Sequence, residues 1–168
     1  EEYHRYSRLF KQVIGEFAPQ IEDRGVDEVY IDFGAVEGGQ EQGGRVLAAR
    51  IQAAIHVRTG LTCSIGVAPN KLLAKMASEF SKPNGISIMY EAELQQKIWP
   101  LECRRINGIG PKASARLEQF GIRTIGELAA CERGWLMQHF GPRHDAWMYD
   151  AAWGWDDRPL ITHSEPIS

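Results

Sequence analysis

The chain has 168 residues, a net charge of −3 and a hydrophobic content of 43%, enough for one ordinary domain or two small ones. No apolar run approaches the roughly 20 residues of a membrane-spanning helix, and Glu1-Glu2-Tyr3-His4-Arg5-Tyr6 lacks the basic-then-apolar order of a signal peptide. The three cysteines, Cys63, Cys103 and Cys131, are far apart and odd in number, which excludes a CxxC metal knuckle and a disulfide framework and points to a reduced, cytoplasmic or nucleoid setting.

In chain order, apolar groups at helical spacing predict a helix over residues 3–18, stopping near Ala18-Pro19. Val29, Ile31 and Phe33 alternate with Tyr30 and Asp32, which predicts a half-buried strand, followed by a glycine-rich loop from Gly34 to Gly44. Residues 45–57 read as a second amphipathic helix, 62–67 as a buried strand and 70–80 as a helix. Pro83-Asn84-Gly85 is a turn, residues 86–89 a short strand and 91–98 a helix. After Trp99-Pro100 the strands stop, and short helices are expected at 111–119, 124–131, 132–139 and 142–153. The expected fold class is α+β: an α/β layer over residues 1–98, a small all-helical module over 99–158 and an extended linker over 159–168.

Three sets of residues carry chemistry. Asp27-Glu28 lies where a loop meets a strand, and paired carboxylates are hard oxygen ligands suited to Mg²⁺. Adjacent strand residues point to opposite faces, so both reach one ion only if the backbone is turned, which Arg24-Gly25 permits. A solvated acidic pair at a strand start is the alternative; Asp32, a third carboxylate, suits a structural or exposed role. Lys71 and Lys75 share a helix face, and Lys82 precedes a stiff Pro-Asn-Gly turn. Lysine ammonium groups suit a triphosphate, although a solvated helix face explains Lys71 equally well and no Walker loop is present. Third, Ile106-Asn107-Gly108-Ile109-Gly110-Pro111-Lys112 reads as the turn of a helix-hairpin-helix. Its glycines allow close approach to a phosphate, the new helix start favours an anion, and such contacts read backbone rather than sequence. A tight helix-helix turn without a ligand is the plain alternative. The five tryptophans are expected mostly in the core, and the histidines suggest neither a metal site nor a base. The negative net charge argues mildly against nucleic acid, but backbone amides grip phosphate without side-chain charge.

Taken together, these residues resemble the Y-family DNA polymerases, in particular the DNA polymerase IV group (DinB, or ImpB/MucB/SamB). Gly25-Val26-Asp27-Glu28-Val29-Tyr30-Ile31-Asp32 is similar to that family's palm motif, residues 63–85 to its palm helix and Lys-Pro-Asn-Gly turn, and residues 106–128 to its thumb hairpin. The resemblance covers residues 1 to about 160 and implies part of a palm sheet packed with helices, a helical thumb and a linker toward a little-finger domain. It implies Asp27 and Glu28 as catalytic ligands of two Mg²⁺ ions, and Lys82, with Lys75 second, as triphosphate-binding residues. It implies Gly108, Ile109, Gly110 and Lys112 as contacts to the DNA backbone.

The implied reaction is nucleotidyl transfer from a dNTP to a primer 3′ hydroxyl in translesion synthesis during DNA repair, with two metals assisting. Primer-template DNA is the implied partner, and a sliding clamp would be engaged by regions outside this chain; no membrane is involved. Two departures stand out. Gly25 replaces the family's usual serine, and the family's first catalytic aspartate belongs to a strand ahead of the region matched here. A palm-thumb piece that cannot polymerise alone is therefore expected. The alternatives are a catalytically inactive polymerase-like accessory protein of the DNA-damage response, or a free-standing helix-hairpin-helix module.

Overall fold

The structure, a computed structural model, describes residues 2–162 and every side chain among them except those of residues 144–146. Of the linker expected at 159–168, residues 163–168 lie outside the described residues. Two compact units are present: one takes residues up to 67, 78–88 and from 158 onward, the other 68–77 and 89–157.

The first unit contains α1 (Glu2–Phe17), β1 (Ile21–Asp23), β2 (Val29–Ile31), α2 (Arg45–Thr59), β3 (Ile65–Val67) and, later in the chain, β4 (Ile86–Ile88). The apolar stripe of α1 buries Val13 and Ile14 against Leu47, Ile51 and Ile55 of α2, with Ile21, Val29, Ile31, Phe33 and Ile65 packed around them. Each such side chain contributes about 1.5–3 kcal/mol on leaving water. Helix α2 starts at Gly44, whose φ is +98° and where an added Cβ would lie 2.8 Å from Val67 Cγ1. Only glycine lets the helix begin this close to β3.

The strands form two separate pairs. β1 and β2 are antiparallel with Ile21 opposite Ile31 and Asp23 opposite Val29; β3 and β4 are parallel with Ile65 opposite Ile86. β1 has no counterpart in the sequence reading, because three residues are too short to display an alternation. β2 ends two residues before the expected Phe33, since Asp32 accepts the Gly34 N–H (2.9 Å) and caps a 3₁₀ turn over Phe33–Ala35. β3 begins at Ile65 rather than Thr62 and is half-buried rather than buried. The Cys63 carbonyl ahead of it accepts from Gln52 Nε2 at 2.9 Å instead.

The second unit is helical. It includes most of α3 (Lys71–Phe80), then α4 (Leu94–Lys97), α5 (Pro111–Gln119), α6 (Ile125–Ala129), α7 (Arg133–Phe140) and α8 (Pro142–Ala152). The helix expected over 91–98 opens as a 3₁₀ turn, Glu91–Glu93, whose last carboxylate accepts the Tyr90 N–H at 3.0 Å. Leu72, Leu73, Met76, Ile98, Ile106, Leu117, Ile125, Leu128, Leu136 and Met148 share one core. Thr124 and Glu127 form a reciprocal capping box at the start of α6. The Thr124 N–H, then the Arg123 N–H, then the Thr124 hydroxyl, hold the Glu127 carboxyl below its ordinary range. Trp99, Trp135, Trp147 and Trp153 pack against the core as expected, whereas Trp155 is 53% exposed. Burial pushes the Cys103 thiol up to about 11, with the nearby Glu127 and Cys131 adding to it, so Cys103 is a packing residue rather than a nucleophile. An α+β fold results: small sheets packed with helices, followed by helices alone.

Candidate functional site

Residues 24–28 connect β1 to β2. The Arg24 N–H donates to the Glu28 carbonyl at 2.9 Å, one step beyond the Asp23–Val29 pair, and so extends the hairpin pairing to its tip. Gly25 sits in this turn at φ +117°, a region that glycine reaches without a Cβ penalty. Its N–H donates to Asp23 Oδ1 at 3.1 Å. Asp27 therefore lies in the bend, and Glu28 stands where the chain returns into β2. Asp27 is exposed and Glu28 half-buried.

This placement fits a divalent cation in one respect and leaves it incomplete in another. Two hard carboxylate donors are consecutive in the chain at this turn, one exposed and one half-buried. Among the described residues, no group of three or more His, Cys, Asp or Glu side chains is arranged to hold an ion. Paired carboxylates of this kind suit a hard cation whose remaining ligands come from elsewhere, such as phosphate oxygens.

A carboxylate absent from the sequence reading lies on β1, opposite Tyr30. Glu22 on β1 is only 2% exposed. It lies 3.7 Å from the Arg24 guanidinium and accepts the Ile161 N–H at 2.8 Å. Its strand is too short for any sequence pattern to flag, and burial alone distinguishes it from its exposed neighbour Asp23. Asp32 is exposed and caps the turn that follows β2, the structural role expected of it.

The lysines fall in different places. Lys71 and Lys75 lie on α3, one turn apart and half-buried, within the second unit; Lys82 belongs to the first. Lys82 Nζ is 3.2 Å from Glu79 Oε1, both groups partly solvated. The chain then reverses through a cis Lys82–Pro83 peptide. At Gly85 an added Cβ would meet the Ser81 carbonyl oxygen at 2.5 Å, so the turn is folded tightly onto the end of α3. The Gly85 carbonyl accepts the Ile65 N–H at 2.9 Å, which leads directly into the β3–β4 pair. Lys82 is thereby carried on a turn whose backbone is held at both ends.

The glycine hairpin is built as the sequence implies, with one difference: its first helix is a single 3₁₀ turn, Cys103–Arg105. Ile106 and Ile109 are buried, and the Ile109 N–H donates to the Ile106 carbonyl at 3.0 Å. Gly108 has φ +110°, and a Cβ there would lie 2.8 Å from the Trp147 ring. Gly110 is the N-cap of α5 without a side-chain cap, and Pro111 occupies the first turn. Asn107, Gly108, Gly110 and Lys112 are exposed. The unpaired amides at the start of α5 and the Lys112 ammonium thus face solvent together, an arrangement suited to an anion.

Known proteins match this chain in two segments. The impB/mucB/samB family matches residues 1–79, and the IMS family HHH motif matches residues 91–122. DNA polymerase IV of Moorella thermoacetica is 37% identical over 164 residues, which cover 96% of this chain and 40% of that protein. DNA polymerase IV of Neisseria meningitidis serogroup B is 36% identical over 165 residues, covering 98% of this chain and 51% of that protein. Among solved structures, a Y-family DNA polymerase chimera superposes with a TM-score of 0.85 at 30% identity, covering 97% of this chain and 47% of that one. The chain spans about half the length of the curated relatives it matches. On matched segments that include both the acidic turn and the glycine hairpin, the chain belongs to the impB/mucB/samB family of Y-family DNA polymerases, in the DNA polymerase IV group.

Proposed function

We propose that the full-length protein containing this chain is a template-directed translesion DNA polymerase that transfers a nucleotide from a dNTP to a primer 3′ hydroxyl. The observation that supports this best is the hairpin whose tip carries Asp27 and Glu28 as consecutive residues, the first exposed and the second half-buried. In this reading residues 1–98 serve as palm, 99–158 as thumb and 159–168 as the linker toward a little finger.

Asp27 and Glu28 supply oxygen ligands for two Mg²⁺ ions. Bound Mg²⁺ supplies Lewis acidity toward the attacking hydroxyl and the departing pyrophosphate. Lys82, exposed and paired only loosely with Glu79, exchanges that partner for the triphosphate, and Lys75 is the second candidate. The amides of Gly108, Ile109 and Gly110, with Lys112, hold a DNA backbone phosphate and so fix register without reading bases. In this reading the acidic pair is one part of the metal site, and the 168-residue chain by itself is expected not to extend a primer. A clamp is engaged by regions outside this chain, and the work is done at the nucleoid. No helix among the described residues is long and apolar enough to cross a membrane.

Primer extension by the full-length protein on intact and damaged templates tests the reading. Extension that needs dNTP and Mg²⁺, is stopped by a chelator and is absent with the 168-residue chain alone is the expected result. Retained primer-template binding without any extension would instead favour an accessory role.

A further inference from the structure

Gly25 poses a physical problem. Glycine has wide backbone freedom, so a turn built on it at positive φ is fixed by the contacts its neighbours make; across the hairpin the Arg24–Glu28 bond supplies one, and the Gly25 peptides themselves need others. Nothing lies within 4 Å of the position a Gly25 Cβ would take, so packing does not supply that restraint. Two residues later comes Asp27.

The restraint comes from α1. Lys11 Nζ lies 2.8 Å from Asp23 Oδ1 and also donates to the Gly25 carbonyl. The same Asp23 oxygen accepts the Gly25 N–H at 3.1 Å. One ammonium and one carboxylate therefore grip both sides of Gly25, fixing the peptide planes before and after it. The Lys11 side chain is only 19% exposed, and α1 is anchored through Val13 and Ile14 in the core of the same unit. The grip is thus attached to a rigid element.

We propose that Lys11 is a positioning residue for the acidic pair: through Asp23 and Gly25 it sets where the turn presents Asp27 and Glu28. The proposal rests on the reading of those carboxylates as metal ligands. Magnitudes separate positioning from stability. A partly exposed ion pair contributes about 0–1 kcal/mol to folding, whereas a displacement of about 1 Å at a reacting centre can cost roughly 100-fold in rate. Lys11 should matter little for melting and much for ion binding and turnover. The sequence reading singled out no role for Lys11, which lies on α1, well before the acidic pair.

The test uses the full-length protein and Lys11→Met, Lys11→Arg and Asp23→Ala. Hydrogen exchange at the amides of residues 24–28 reads the turn without any metal. Mn²⁺ titration followed by paramagnetic resonance reads the site without turnover. Lys11→Met should speed exchange in 24–28 at least about tenfold with α2 unchanged, and weaken Mn²⁺ binding by a similar factor. It should lower kcat about 10- to 100-fold with the KM for dNTP within about twofold. Lys11→Arg, which keeps charge and donors, should restore most of each. Asp23→Ala removes the oxygen that accepts from both Lys11 and the Gly25 N–H, from a side chain that is half exposed; it must reproduce the pattern, and it decides the matter if Lys11→Met fails to fold.

Parent-like exchange and Mn²⁺ binding in Lys11→Met, or in Asp23→Ala where Lys11→Met does not fold, overturn the proposal. If Asp27→Ala abolishes Mn²⁺ binding and extension while Lys11→Met changes neither, Lys11 alone is wrong. If Asp27→Ala changes neither, the metal-ligand reading is wrong and Lys11 as a positioning residue falls with it.

Discussion

At Gly25 the backbone sits at φ +117°, where an L side chain is strained even though space is open around it. The family resemblance places serine at this position, and restoring it appears conservative on sequence grounds. The observed backbone says otherwise: Gly25→Ser should lower stability by about 1–2 kcal/mol in urea denaturation, and an unchanged or higher midpoint would show that the turn can rearrange freely. Residue chemistry explains what was legible here. Asp27, Glu28 and Lys82 announce themselves by type and by neighbours of turn-forming character. Glu22 and Lys11 do not, because their importance comes from burial and from a partner 12 residues away in the case of Lys11. A single sequence records neither quantity.

Among the elements, helices were readable and strand pairing was not. The periodicity of α1, α2 and α3 gave boundaries within one or two residues of those observed, since each carries a stripe of large apolar residues. β1 was invisible at three residues, and its antiparallel pairing with β2 depends on a turn geometry that no spacing encodes. The glycine hairpin was legible because Gly-Ile-Gly-Pro marks both the turn and the start of α5. What the sequence hid is Trp147, which packs where a Gly108 side chain would go. Gly108→Ala should therefore strain the turn at φ +110° and push against that ring. Binding of the full-length protein to a primer-template, followed by fluorescence anisotropy, should weaken about tenfold with the salt dependence unchanged, because no phosphate-neutralising charge is lost. Lys112→Ala should instead lower the salt slope by about one. Equal affinity for Gly108→Ala and the parent would remove the hairpin from the DNA interface.

For the molecule as a whole, the α+β class and the order of its parts could be read from the alternation of strand and helix patterns up to Trp99 and their absence afterwards. The division into two compact units could not, since one unit recruits residues 78–88 and the segment from 158 across a long stretch of chain. The net charge of −3 is consistent with a DNA contact made mainly through main-chain amides and a few cations. The central claim is that the turn between β1 and β2 holds the metal on which nucleotide transfer depends. Its most direct test is single-turnover incorporation by the full-length protein and its Asp27→Ala variant, with primer-template binding measured on the same samples. A rate lower by at least about 1,000-fold with DNA affinity retained is predicted, the loss of several kcal/mol of transition-state stabilisation. Incorporation by Asp27→Ala at the parent rate would contradict the account.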